Sequence, residues 1–237
     1  MQTGQTGRSP RADGNATRAR ILESAGQLYG AQGYAETKNK AIAEHAGVDL
    51  ASINYYFGSR DGLYRAVVVE AHRRFIGLED LVDIYRSNIP AREKLHMLIG
   101  MIARRFSGAA HWSSEVLARE LLSPSPHLAV LDEQELPPKL GIVLQILADI
   151  TRIPVEDPRL LCCLVSVAAP CATLLIAGRG SPTLGRELRR IAPAAIVDHL
   201  FRFACGGLDA ISSIQVCFEE GASNKGVAHE VEETSHG

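Results

Sequence analysis

The chain has 237 residues, 46% of them hydrophobic and 22% charged, and a net charge of −2. That length can bury a proper core, and that composition is ordinary for a folded globular protein and excludes a collagen-like or wholly disordered chain. The charge is uneven: residues 1–65 hold eight cations and six acids, a net +2 that leaves −4 for the rest, which is compatible with a nucleic-acid-binding end on an acidic body.

Residues 1–14 are Gly-, Arg- and polar-rich without periodicity and read as a disordered arm; with no apolar run of the signal-peptide kind they point to a cytoplasmic protein. A first helix follows from Asn15 or Thr17, its apolar face Ile21, Leu22, Ala25, Leu28 and Tyr29, with Gly33 just past its end. Thr37 can cap a second helix with a buried face of Ala41, Ile42 and Ala46, ended by Gly47 where a left-handed residue is commonly needed. After Val48 and Asp49, the latter a possible cap, comes a third short helix over 50–57. Ser59 caps a fourth, whose apolar stripe runs from Leu63 through Phe75 to Leu78.

Beyond Pro90 the pattern predicts helices over 91–107, 112–122, 126–152 with an interruption at Pro137-Pro138, 158–178 with a kink at Pro170, and 187–206. The apolar run at 160–177 is broken by Ser166, Pro170 and Thr173 and flanked by Arg159 and Arg179, which reads as a buried helix and not a membrane span. Residues 207–237 lose periodicity and gain acids, so a largely disordered tail is expected. Nothing alternates as a strand; the fold class is all-α.

Residues 39–57 have the spacing of a helix-turn-helix. Ala43 is small at the closest helix crossing, Gly47 makes the turn and Ile53 anchors the second helix, leaving the outer face of 50–57 free to enter a major groove. Asn54, Tyr55 and Tyr56 can reach phosphates and base edges, and Arg60 with the first amides of the fourth helix can hold another phosphate. A plain helical hairpin of an all-α core is the bland alternative.

The stretch LYGAQGYAETKNKAIAEHAGVDLASINYYFGSRDGLYRAVV, residues 28–68, resembles the DNA-binding domain of TetR/AcrR-type transcriptional regulators, and INYYFGSRDGLYRAVV is similar to the subgroup named for the regulator CecR (YbiH). The chain departs from the family pattern at Lys38 (usually Ser or Thr), Tyr56 (usually His) and Asp49 (often Ser or Thr). The resemblance implies a three-helix reading head, residues 15–60, in which Thr37 and Lys38 contact the DNA backbone, Leu50, Ala51 and Ser52 face base edges, and Asn54, Tyr55, Tyr56 and Arg60 grip phosphate or sugar. It implies a homodimer on a palindromic double-stranded operator, a small-molecule effector that releases it, and more often repression than activation. It also implies a larger helical effector-binding and dimerisation domain, residues 61–206, whose last two long helices pair with their symmetry mates through Leu161, Leu164, Val165, Ala168, Leu175, Ile196, Leu200 and Phe203.

For the effector, Phe106, His111, Trp112, Glu115 and Arg119 bring aromatics, a carboxylate and a cation together, the last three on one helix face; an ordinary ion pair beside a core tryptophan is the alternative. Cys162, Cys163, Cys171, Cys205 and Cys217 form no CxxC pair and read as reduced, buried thiols, with a redox-responsive or a ligand-independent DNA binder as alternatives. His96, His111 and His127 lack metal spacing, no cofactor is expected, and the absence of GxSxG, phosphate-loop and HExxH motifs argues against an enzyme.

Overall fold

The structure is a computed structural model that describes residues 10–107, 111–180 and 182–233, with side chains described over 13–105, 111–177 and 183–213. Twelve α-helices run through the described residues: α1 (Pro10–Gln32), α2 (Asn39–Ala46), α3 (Leu50–Phe57), α4 (Arg60–Phe75), α5 (Leu78–Arg86), α6 (Ala91–Ser107), α7 (Trp112–Leu122), α8 (Val130–Gln134), α9 (Leu136–Thr151), α10 (Pro158–Gly180), α11 (Pro182–Arg190) and α12 (Pro193–Glu233). A single 3-10 turn, Pro126–Ala129, leads into α8.

Glycine and proline set most of the boundaries. Gly47 closes α2 at φ 62°, ψ 46°, its amide bonding back to Ala43 and Glu44, and Ser59 caps α4 by accepting from the Gly62 amide at 3.0 Å. Four expectations need correction. α1 starts at Pro10, inside the stretch read as a disordered arm, because proline suits the first helical position; Asn15 and Thr17 are interior. The stripe assigned to one helix through Leu78 breaks after Phe75, and Leu78 opens α5 beyond Gly77. The helix expected over 187–206 is two, parted before Pro193, which lacks an amide and restricts the residue before it. α12 then continues through the stretch read as a disordered tail, with Leu208 buried at 2% exposure. The break near Pro137-Pro138 falls at Glu135, since prolines in a helix's first turn forfeit no intrahelical bond. Asp49 precedes α3 without a side-chain capping bond.

Two cores organise the helices. The first gathers Ile21, Ala25 and Tyr29 of α1, Ile42 of α2, Ile53 of α3 and Leu63 and Val67 of α4, but also Trp112, Val116 and Leu117 of α7. The second joins α5, α6, α9, α10 and α12 around Leu81, Ile99, Leu147, Leu160 and Val197. The three-helix head therefore has no core of its own; α4 and α7 complete it.

Polar ties fix the same joint. Trp112 donates its indole N–H to Glu23 (2.8 Å) and packs so closely on α1 that a Cβ at Gly26 would lie 2.5 Å from its ring. Arg74 of α4 bonds Glu23 and Glu70 and lies over the same ring, 4.8 Å from its centroid. Lower on α4, the Lys139 ammonium bonds His72 Nδ1 (2.9 Å) and Glu135 (2.8 Å), and Arg73 bonds Glu135 at 2.7 Å. Burial, and secondarily the Lys139 charge, push the His72 imidazole down to about 4. Arg73 and Lys139 hold the Glu135 carboxyl below its usual range against the opposing effect of its burial.

Gly26→Ala is expected to destabilise the fold by about 1–3 kcal/mol through overpacking, and by less in a Trp112→Leu background; equal costs in both backgrounds by urea denaturation would remove the clash from the account. The His72 pKa lies below its unfolded value of 6.5, so its contribution is fully present above that pH and is lost as pH falls toward 4. Between pH 7 and pH 5 the wild type is expected to lose about 2 kcal/mol more than His72→Gln. Parallel pH profiles would assign the effect to another group.

Candidate nucleic-acid interface and body cavities

α3 is held by one buried residue and leaves much of its surface uncovered. Ile53 is fully buried, while Leu50 is 50% and Tyr55 80% exposed, with Ala51 and Asn54 also exposed and Ser52 and Tyr56 half-buried. A leucine and a tyrosine so uncovered on an eight-residue helix gain nothing from the fold, which marks a surface shaped for contact. Tyr55 and Tyr56 meet edge to face at 4.9 Å, and Arg18 lies over the Phe57 ring at 5.0 Å, pinning α1 to the end of α3. Lys38 and Lys40 stand exposed at the start of α2, Lys40 in a loose pair with Glu44 at 3.9 Å.

Two residues expected at this surface turn inward. Thr37 is fully buried, its hydroxyl donating to the Gly33 carbonyl at 2.8 Å and so closing the end of α1. Arg60 donates to the carbonyls of Tyr34, Ala35 and Thr37 and stacks over Tyr34 at 4.3 Å from the centroid. Its guanidinium is thus a strut between α4 and the loop before α2. Beside it Tyr34 donates to Asp61, and His127 of the 3-10 turn packs against the rings of Tyr34 and Tyr64. Tyr64 in turn donates to the buried Glu120 at 2.6 Å. These partners are 23 to 93 residues apart in the chain, so no local period marks them.

In the body the expected effector cluster divides. Trp112, Glu115 and Arg119 do share a face, but α1 covers it: Glu115 lies against Gly30, and Arg119 donates to the carbonyls of Gly30 (2.8 Å) and Ala31 (2.6 Å). They form the joint and not a pocket. His111 accepts from the Ser113 amide at the start of α7 and borders an open cleft of about 1180 Å³ with Asp83, His96, Arg104 and Arg105; the Phe106 side chain lies outside those described. A second cavity of about 450 Å³ sits between α4, α6, α7, α8 and α10. Phe75, Ile102, Leu117, Leu131, Cys171 and Leu175 form its apolar wall, and His72, Glu120 and Asp132 line it with polar groups.

The residues expected at a chain–chain interface also divide. Leu161 (47%), Val165 (63%) and Phe203 (69%) are exposed, Leu164 and Leu200 are half-buried on the second core, and Ile196 is buried within the chain. Ala168 and Leu175 border the smaller cavity instead. The expectation of a buried helix at 160–177 holds for one side only: α10 is long and apolar enough to cross a membrane, yet 28% of its apolar stretch is buried. Cys163 and Cys171 are buried, Cys162 is exposed and Cys205 half-exposed; burial raises the Cys163 thiol and pushes that of Cys171 up to about 11, which suits packing more than redox chemistry.

Comparison with known proteins agrees with this division of labour. The model of bacterial regulatory proteins of the tetR family matches residues 21–67, and that of the C-terminal domain of the HTH-type transcriptional dual regulator CecR matches residues 91–208. A probable HTH-type transcriptional regulator of Bacillus subtilis, YttP, is 30% identical over 87 residues, 37% of this chain and only 41% of that protein's length. Among solved structures, a TetR-like transcriptional regulator from Rhodococcus sp. RHA1 superimposes with a TM-score of 0.63 at 20% identity, over 85% of this chain and 99% of that one. The regulator FadR from Bacillus subtilis, in complex with stearoyl-CoA, gives 0.64 at 18% identity, over 80% and 98%. With one model on the reading head and the other on the body, the chain belongs to the TetR family of bacterial transcriptional regulators and carries a C-terminal domain of the CecR type.

Proposed function

We propose that this regulator binds a palindromic operator as a homodimer in the cytoplasm, most simply as a repressor, and leaves it when a small apolar effector enters the cavity beside α4. The observation that carries the reading is α3, whose one fully buried residue is Ile53 and which leaves Leu50, Ala51 and Tyr55 uncovered. Ala51 and Leu50 suit apolar contact to a thymine methyl, Ser52 can bond a base edge, and Lys38, Asn54 and Tyr55 suit phosphate and sugar. One such helix makes few base contacts, and two heads on a two-fold axis double the site. The uncovered side of α10 with Leu161 and Val165, together with Phe203 of α12, supports an interface between two copies. The effector reading rests on the 450 Å³ cavity, which Phe75 and Ile76 border at the end of the same helix that starts beside the DNA surface.

On duplexes obtained by selection from random DNA, Lys38→Ala is expected to lower affinity for specific and nonspecific sequences alike and to reduce the salt slope by about one. Arg60→Ala, which removes an internal strut, is expected to leave that slope unchanged while lowering thermal stability. The opposite pattern would return Arg60 to the DNA surface and take Lys38 away from it. Ser52→Ala is expected to alter the selected sequence. For assembly, Val165→Glu and Phe203→Glu place charges in the proposed interface and are expected to sediment as folded monomers; dimers in both variants would move the interface elsewhere.

A further inference from the structure

We propose that the cavity beside α4 selects a neutral, largely apolar molecule carrying one hydrogen-bond acceptor, a ketone, ester or lactone oxygen, which docks on the Nε2–H of His72. The inference rests on the effector reading above and names the chemical class that the cavity accepts.

The chemistry begins at Lys139. An ammonium has only donors, so His72 Nδ1, 2.9 Å from Lys139 Nζ, must be the accepting nitrogen. The ring proton then sits on Nε2. Lys139 is 5% exposed, and its second partner, Glu135 at 2.8 Å, holds the ammonium in place. A doubly protonated His72 would set two donors against each other, so the ring stays neutral and its tautomer is fixed. His72 is itself 9% exposed and borders the cavity, whereas Lys139 does not. The ring edge turned away from Lys139 is the one left for the cavity, and among the described residues Nε2 has no hydrogen-bond partner. It is not among the fully enclosed polar atoms that lack a partner, so it is accessible, and a ligand oxygen in the cavity can accept from it.

The other lining groups decide the ligand's charge. Among the described residues the cavity wall has no lysine or arginine, and its carboxylates are Glu120 and Asp132. Glu120 is 3% exposed and already accepts from Tyr64, from the Ser125 amide at 3.0 Å and from the Ser125 hydroxyl. An anionic ligand would meet these carboxylates with no cation among the described wall residues to balance it, and a cationic one would find Glu120 already occupied by Tyr64 and Ser125 and Asp132 exposed to screening solvent. The Cys171 thiol, held protonated by burial, adds apolar surface and no charge. A fatty acid carboxylate or a coenzyme A phosphate therefore does not fit inside this wall, whatever the likeness in fold to a regulator that binds stearoyl-CoA.

The test uses three probes of nearly equal size on the full-length chain: benzylacetone, butylbenzene and hydrocinnamate, a ketone, a hydrocarbon and a carboxylate. Their affinities would be measured by calorimetry at neutral pH for the wild type and for His72→Phe. The substitution is expected to weaken benzylacetone about tenfold, the worth of one buried hydrogen bond, and to leave butylbenzene within about threefold; hydrocinnamate is expected to bind neither protein. Equal losses for ketone and hydrocarbon would overturn the role of His72 while leaving the cavity as the effector site. Tighter binding of hydrocinnamate than of benzylacetone would overturn the neutral class, and failure of all three to bind the wild type would overturn the cavity reading as well. Histidine nitrogen spectra of the wild type need no variant: a proton on Nε2 whose resonance moves with benzylacetone but not with butylbenzene is expected, and a proton on Nδ1 would overturn the proposal.

Discussion

The seat of Trp112 on α1 is the constraint on which the remaining geometry depends. Gly26 lets the indole approach to a distance no side chain could share, Glu23 takes its N–H, and Arg74 covers its other face. At the far end of the contact Arg119 binds the last carbonyls of α1, groups that a helix leaves without internal partners. A residue from the start of α7 and one from near its end thus hold α1 at two points. The head is a lever fastened to α7 as well as to α4, and the direction of α3 is set by how α7 lies in the body.

That fastening defines what an effector must do. A hundredfold change in DNA affinity requires about 2.7 kcal/mol of differential binding between two conformations, and the energy has to reach the head through something stiff. α4 carries Arg60 and Asp61 at the head, Arg74 at the α1–α7 joint, and His72 and Phe75 at the cavity. α7 brings Leu117 and Glu120 to the same cavity, and Glu120 is bonded to Tyr64 of α4. Beside α4, α1 joins head and body through α7. An effector that moves α7 against α4 acts on both fastenings together.

The legible parts were those governed by short spacings. Gly47, Ile42, Ile53 and the Ser59 cap follow rules that operate within one or two turns, and they lie where the spacing puts them. The shared face of Trp112, Glu115 and Arg119 was legible for the same reason. What covers that face was not, because the partner, α1, lies about 90 residues earlier and a face suited to a ligand is also suited to a helix with glycines at Gly26 and Gly30. Thr37 and Arg60 carry the same ambiguity. A hydroxyl and a guanidinium near DNA are as able to satisfy stray carbonyls of their own loop as to bind phosphate. In the body the breaks at Gly77 and Pro193 were written in the residues, but apolar positions on both sides of them matched a continued helix and masked the stop.

The apolar character of α10 makes sense once its two sides are separated. Leu160, Cys163, Cys171 and Leu174 recur at helical spacing on the core side, whereas Leu161, Val165, Ala168, Ala172 and Leu175 make a second stripe that carries the uncovered patch and, towards its C-terminal end, part of the cavity wall. A helix that packs on the core along one side and carries such a stripe along another is apolar nearly all round, which is why its composition resembles a membrane span. The consequence is mechanical. With cavity and proposed interface following one another along a single stripe of the helix, a ligand that displaces Leu175 shifts the stripe that meets the second copy, so the spacing of the two heads responds to the cavity through the interface as well as through α4.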